Sequence, residues 1–204
     1  MRTITALFDT YDHAASAVRS LRDAGISSAD VSLVANNVAG DIQSKDDMDA
    51  EEGAAAGAGV GAVAGGGAGL LAGLGTIAIP GIGPVIAGGW LLATAIGALA
   101  GAAVGGAAGG LLGALANAGV PEQEAHIYAE GIRRGGTLVS VRAEDSRADA
   151  VGAILRNAAG VDLDRRRDDY LAEGWTGFDE EAPAYSEEQI RNYRTSVGYA
   201  PPPV

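Results

Sequence analysis

Residues 53–74 read GAAAGAGVGAVAGGGAGLLAGL, and residues 97–113 read GALAGAAVGGAAGGLLG. In the first stretch Gly57, Gly61, Gly65, Gly69 and Gly73 recur every fourth residue; in the second, Gly97, Gly101, Gly105, Gly109 and Gly113 do the same. Positions four apart share one face of an α-helix, so each series is a stripe without side chains. The stripes mirror each other about Val85: Gly57 lies as far from it as Gly113, Gly61 as Gly109, Gly65 as Gly105, Gly69 as Gly101 and Gly73 as Gly97. This symmetry predicts an antiparallel helical hairpin over residues 53–120. Its turn falls at Pro80, Gly81, Gly83 and Pro84, where proline and glycine end one helix and begin the next.

Such a hairpin has an energetic problem. Each glycine costs about 1 kcal/mol relative to alanine in a helix interior, so neither arm stands alone in water. Close backbone packing compensates, because small residues let helices approach and gain dispersion contacts along their length. A bilayer supplies one setting, since backbone hydrogen bonds are obligatory there. An arm of about 23 residues at 1.5 Å each spans roughly 35 Å, enough to cross the hydrocarbon core. No charge occurs from Gly53 to Pro121. An uncharged turn bearing Ile77, Ile79, Ile82, Val85 and Ile86 suits lipid better than water, and Trp90 suits an interface. The first arm is weakly apolar, with Val60, Val63, Leu70, Leu71 and Leu74. The second, with Leu91, Leu92, Ile96, Leu99, Val104, Leu111, Leu112 and Leu115, is stronger. A soluble oligomer in which hairpins bury one another is the competing setting.

Outward from the hairpin, the flanks read as a small α+β domain. Thr3 to Phe8 is a strand, with Ile4, Ala6 and Phe8 on one face and Thr3, Thr5 and Leu7 on the other. Asp9 or Thr10 caps a helix carrying Ala14, Val18 and Leu21, and Gly25 closes it. Val31 to Ala35 is a second strand, which completes a first βαβ half over 1–36. Residues 37–52 are an acidic linker containing Asp41, Asp46, Asp47, Asp49, Glu51 and Glu52 against a single Lys45. Their spacing lacks the central glycine and terminal glutamate of an EF-hand loop, so the run reads as solvated rather than calcium-binding.

Beyond the hairpin, residues 121–164 hold a helix opened by Pro121 and the second βαβ half. That helix carries Ala125, Tyr128, Ala129 and Ile132 and ends at Arg133-Arg134-Gly135-Gly136. A strand over Thr137–Arg142 follows, then a helix capped by Asp145 or Ser146 with Val151, Ile154, Leu155 and Ala158, closed by Gly160, and a short strand over Val161–Leu163. Ala17-Val18, Leu21 and Ala24-Gly25 resemble Ala150-Val151, Ile154 and Ala159-Gly160, a weak internal repeat with one extra residue. Two such halves predict a ferredoxin-like split βαβ domain with the glycine-zipper hairpin inserted between them. Residues 165–204 read as an acidic, mostly disordered tail. Within it, Gly174-Trp175-Thr176-Gly177-Phe178 offers aromatic anchors for docking in cis, and Ser186 with Gln189 forms a capping box for a short helix.

Composition narrows the function. The chain has 204 residues, a net charge of -12 and no cysteine. Acidity argues against nucleic acid as a partner, and the lack of cysteine removes disulfides, thiol catalysis and thiolate metal sites. Gly59-x-Gly61-x-x-Ala64 matches a dinucleotide fingerprint only formally, because no strand precedes it. His13 and His126 have no second ligand at metal-binding spacing. Arg133 and Arg134 suit a helix C-terminus, with a lipid or phosphate contact as the sharper alternative. No catalytic residues and no cofactor are expected. Met1 to Asp9 is too short an apolar run for a signal peptide, which places the flanks in the cytoplasm and the hairpin at the inner membrane.

The motif order resembles a bacterial family of general-stress or heat-induced stress proteins. The resemblance is carried by Thr5-Ala6-Leu7-Phe8-Asp9, Asp30-Val31-Ser32-Leu33-Val34, Ile79-Pro80-Gly81-Ile82-Gly83-Pro84, Val120-Pro121-Glu122, Glu130-Gly131-Ile132-Arg133-Arg134-Gly135-Gly136 and Leu138-Val139-Ser140-Val141. It covers about residues 3 to 163, and the tail around Trp175 looks like one often attached to such domains. It implies a stress association and a membrane link, with no catalytic residues to transfer. The expectation is a non-enzymatic stress protein whose hairpin contacts membrane lipid and self-associates. The alternatives are a soluble homo-oligomer sharing a hairpin core, or a small-molecule-sensing ferredoxin-like module, the latter by fold analogy alone.

Overall fold

The period-two alternation at the N-terminus builds a strand that buries both faces. In a computed structural model, which describes residues 1–40, 42, 74–94 and 110–197, β1 (Arg2–Phe8) is that strand. Ile4, Ala6 and Phe8 face one apolar cluster and Leu7 the other. Thr10 then caps α1 (Tyr11–Asp23), its side chain accepting the His13 N–H, and Gly25 at φ +79° ends it. β2 (Val31–Asn36) follows. The uncharged stretch contributes β3 (Gly75–Ile79) and β4 (Gly83–Gly89), a helical segment over residues 90–94, and α2 (Gly110–Asn117). Then come α3 (Glu122–Arg133), β5 (Thr137–Ala143), α4 (Ala148–Asn157), α5 (Leu163–Ala172) and α6 (Glu187–Ser196).

The described residues form a mixed α+β protein around one five-stranded sheet in the order β1-β5-β2-β4-β3, every neighbouring pair antiparallel. β5 lies between β1 and β2 and pairs Val141 with Ile4 on one side and Val31 on the other. One face packs on α1 and α4 through Val18, Leu21, Val139, Val141, Val151 and Leu155. The other packs on α2 and α3 through Leu111, Leu115, Tyr128, Ile132 and Leu138. Tyr128 also donates its hydroxyl to the Thr5 carbonyl at 3.1 Å, closing the outer edge of β1.

Three expectations change. Residues 75–89, read as the turn region of a helical hairpin, form a β-hairpin. Ile79-Pro80-Gly81-Ile82 is its turn, closed by Ile82 N–H donating to the Ile79 carbonyl at 3.1 Å, with Pro80 preset at the second position and Gly81 at φ +73° at the third. The physical reason is burial: Val85 and Ile86, on the strand paired with β2, and Ile82, packed in the cluster beside α2 and α3, each have 0 % exposure, and a fully buried side chain of this size contributes about 1.5–3 kcal/mol. Second, Val161–Leu163 is not a strand. Val161 donates one hydrogen bond to the Leu7 carbonyl (2.8 Å), and α5 begins at Leu163 because Asp162 caps it. Third, the segment from 165 is not a disordered tail up to residue 197: α5 and α6 dock on the domain, and Tyr170, Phe178 and Ile190 are buried. The capping box of Ser186 and Gln189 forms as read.

Candidate functional site

Of the glycine series, Gly57, Gly61, Gly65, Gly69, Gly73, Gly97, Gly101, Gly105 and Gly109 lie outside the described residues, as do the Gly59–Ala64 fingerprint and residues 41 and 43–52 of the acidic linker. Gly113 lies on α2, whose first residue, Gly110, is in the left-handed region at φ +87°. Pro80 and Gly81 do make a turn, but one between strands; Gly83 and Pro84 begin β4.

The apolar residues that argued for lipid are largely used by the domain. Ile82, Val85, Leu91, Leu111 and Leu115 belong to the α2–α3 cluster, and Leu74 and Ile86 to the opposite one. Trp90, read as suited to an interface, makes its contacts within the domain. Its Nε1–H donates to the Asp30 carbonyl at 3.1 Å, and the Arg142 guanidinium lies 5.0 Å from its ring centre. Among the described residues no helix is long and apolar enough to cross a membrane.

A cluster of arginines, tyrosines and carboxylates joins the C-terminal helices to α3 and β1, and sequence reasoning missed it. Glu130 and Arg134 meet at 2.6 Å through Nε, with Glu130 only 1 % exposed, and Arg134 also pairs with Glu173. The Arg134 guanidinium stacks 4.2 Å from the Tyr170 ring centre and 5.2 Å from that of Tyr193. Arg166 forks onto Asp9, Nη1 to Oδ1 at 2.7 Å and Nη2 to Oδ2 at 3.0 Å, and donates to the Tyr193 hydroxyl at 2.8 Å. Such bidentate charged pairs are the strong class of hydrogen bond. Trp175 meets Tyr170 edge-on at 5.5 Å, so the tail's aromatic segment does dock in cis.

Burial raises the Tyr170 pKa, with a further contribution from the nearby Tyr193, and burial alone is the main cause for Tyr128. For Arg134 and Arg166, burial opposes the charge, but the hydrogen bonds to Glu130 and Glu173, and to Asp9, outweigh it and raise both pKa values. The cluster therefore holds fixed charges and neutral phenols; it is a lock. The signal for it was present as Glu130 to Arg134 and Arg166 to Tyr170, each four apart on a helix. Arg133 and Arg134, read as cap residues, are engaged within the molecule: Arg133 donates to the Pro183 carbonyl at 3.0 Å and covers the Tyr185 ring.

His126 Nδ1 accepts the Phe178 N–H at 3.1 Å, and His13 is exposed. Among the described residues no group of three or more His, Cys, Asp or Glu is placed to hold a metal ion. A cavity of about 180 Å³ lies between the start of α1 and α6, lined by Thr10, Asn36, Asn37, Ile42 and Arg194 among others. Asn36 is already satisfied there, donating to the Ile132 carbonyl and accepting from Val38 N–H. No family model, no curated protein and no solved structure matches this chain.

Proposed function

We propose that the chain is a non-enzymatic, stress-associated protein whose two glycine series pack backbone to backbone, inserting in membrane and driving self-association. The observation that carries this reading is the four-residue glycine spacing in two mirror-related, uncharged stretches. Residues 90–109 lie between Gly89 and Gly110, both at positive φ; an arm helix of that length would span about 30 Å, the thickness of the hydrocarbon core. Four glycine pairs remain, from Gly61 with Gly109 to Gly73 with Gly97. The domain that carries them is read here as ferredoxin-like, with β1, α1, β2, β5 and α4 in its order and Val161 as the remnant of a last strand. Stress association rests on the motif resemblance and on nothing structural.

One observation favours a second reading. With Leu74, Leu91, Leu111 and Leu115 buried in the domain, the arms keep fewer strongly apolar residues, each worth about -0.3 to -0.6 kcal/mol on insertion. A soluble assembly of packed arms needs less lipid affinity. Both readings require the glycine faces. Gly65→Leu and Gly105→Leu put four-carbon side chains where the backbones meet, so either variant is expected to reduce the assembled mass measured by light scattering in mild detergent. Unchanged mass in both would sink the packing claim.

A further inference from the structure

The C-terminal segment crosses the elements that adjoin the glycine-rich arms. Phe178 is buried in the same cluster as Ile82, Val85, Leu111 and Leu115, and its N–H is held by His126. The β3–β4 turn lies directly against the residues that follow. A methyl on Gly81 would meet the Asp179 carbonyl oxygen at 2.7 Å, and Phe178 Cζ and Glu180 Cα at 3.0 Å. One on Gly83 would meet Ala184 Cβ at 3.0 Å, and one on Gly110 would meet Glu180 Oε1 at 3.3 Å. The segment is held at both ends on other elements: Arg166 on Asp9 and Glu173 on Arg134 before it, and Arg194, which donates to the Gly135 carbonyl at 2.8 Å, after it.

We propose that residues 178–184 are a regulatory strap that restrains the β3–β4 hairpin and the start of α2, and so limits self-association through the arms that these elements adjoin. The inference rests on the self-association reading above. Mechanically it follows from the grips. The strap's anchors sit just after β1, at Asp9, and just after α3, at Arg134 and Gly135, while what it covers is the turn at Gly81 and the start of α2 at Gly110, so losing it loosens the second set without dismantling the first. Its hold on the hairpin is one buried aromatic ring and a few backbone contacts, a scale suited to sub-global opening rather than global unfolding.

The test is hydrogen exchange on the full chain in mild detergent, with light-scattering mass in the same solution. It compares the native protein with Phe178→Ala, which removes the plug, and with His126→Leu, which removes only the acceptor for the Phe178 N–H. The expected result is amide exchange about tenfold or more faster across 75–89 and 110–117, unchanged protection in β1 and β5, and a larger assembled mass. Loosening of 175–185 with native exchange rates in 75–89 and 110–117 overturns the inference, as does loosening of those elements with native mass. If native and variant chains are all monomeric, the self-association reading itself fails. The exchange result then decides the strap alone: coupled loosening upholds the restraint and uncoupled loosening removes it.

Discussion

Replacing Arg134 with methionine removes the guanidinium while keeping most of the aliphatic stem, and the consequences can be worked from its surroundings. Glu130, at 1 % exposure, loses its 2.6 Å partner and keeps only Arg133, whose Nη1 is 3.4 Å away. Breaking a buried ion pair from one side costs about 3–5 kcal/mol, because the remaining charge is uncompensated. The Arg133 contact places this case at the low end. Loss of the stack on Tyr170 at 4.2 Å adds about 0.5–2 kcal/mol. Glu173 adds little, since its side chain is 54 % exposed and returns to water. Arg134→Met is thus expected to destabilise by about 3.5–5 kcal/mol, or roughly 7–20 °C in melting temperature for a chain of this size. Removing the charge from Glu130 as well, in Glu130→Gln with Arg134→Met, should recover about half, because the cost lies in the orphaned carboxylate rather than in the missing pair. Urea denaturation followed by tryptophan fluorescence, with m unchanged, measures both. A loss under about 1 kcal/mol for the single variant, or a double variant whose loss is the sum of the two singles, would refute the reasoning.

Two further outcomes follow from the same geometry. Ala159 ends α4 at φ +64°, the position that Gly25 fills for α1; a non-glycine residue there costs about 1–2 kcal/mol, so Ala159→Gly should stabilise the fold by about 0.5–1 kcal/mol once glycine's greater unfolded freedom is subtracted. A destabilised variant in the same urea titration would contradict it. Tyr128 and Tyr170 are buried, and their raised pKa values keep the folded state protonated where the unfolded state, ionising near pH 10, is not. Their stabilising contribution is therefore fully present below pH 10 and is lost as pH rises above it. The loss is about 1.4 kcal/mol for each by pH 11, or about 3 kcal/mol together. Comparing unfolding free energies at pH 9 and 11 in the native chain and in Tyr170→Phe, where the loss should be smaller by about 1.4 kcal/mol, tests this; an equal loss in both chains would exclude it.

The domain was legible where periodicity and burial agree. Ile4, Ala6 and Phe8 alternate because they share the face of β1 that packs on the α1–α4 cluster, and Ala14, Val18 and Leu21 repeat because α1 packs on one side. The β3–β4 hairpin was not read, although Thr76, Ile77, Ile79, Val85 and Ile86 are β-branched and Pro80-Gly81 is a turn signal. The neighbouring glycine symmetry imposed a helical frame on residues whose pairing is decided by β2, a contact distant in sequence. The C-terminal helices were hidden by composition. Charge density in Asp164–Glu173 suggests a solvated chain, yet its order comes from Arg166 reaching Asp9 and Tyr170 filling the space beneath Arg134, contacts that no local pattern encodes. The Arg134 lock was half visible as a four-residue spacing; its burial was not.

On the proposed function, the glycine-rich arms are integral to a membrane. Fractionating cells that express the full chain, with the membrane pellet washed in carbonate, tests it most directly. The account predicts a protein that stays in the pellet through the wash and leaves it only in detergent, as an oligomer. Release by the wash, or recovery as a soluble species, contradicts membrane insertion; a soluble high-mass particle would assign the glycine faces to an assembly in water, and a soluble monomer would remove the function proposed for them.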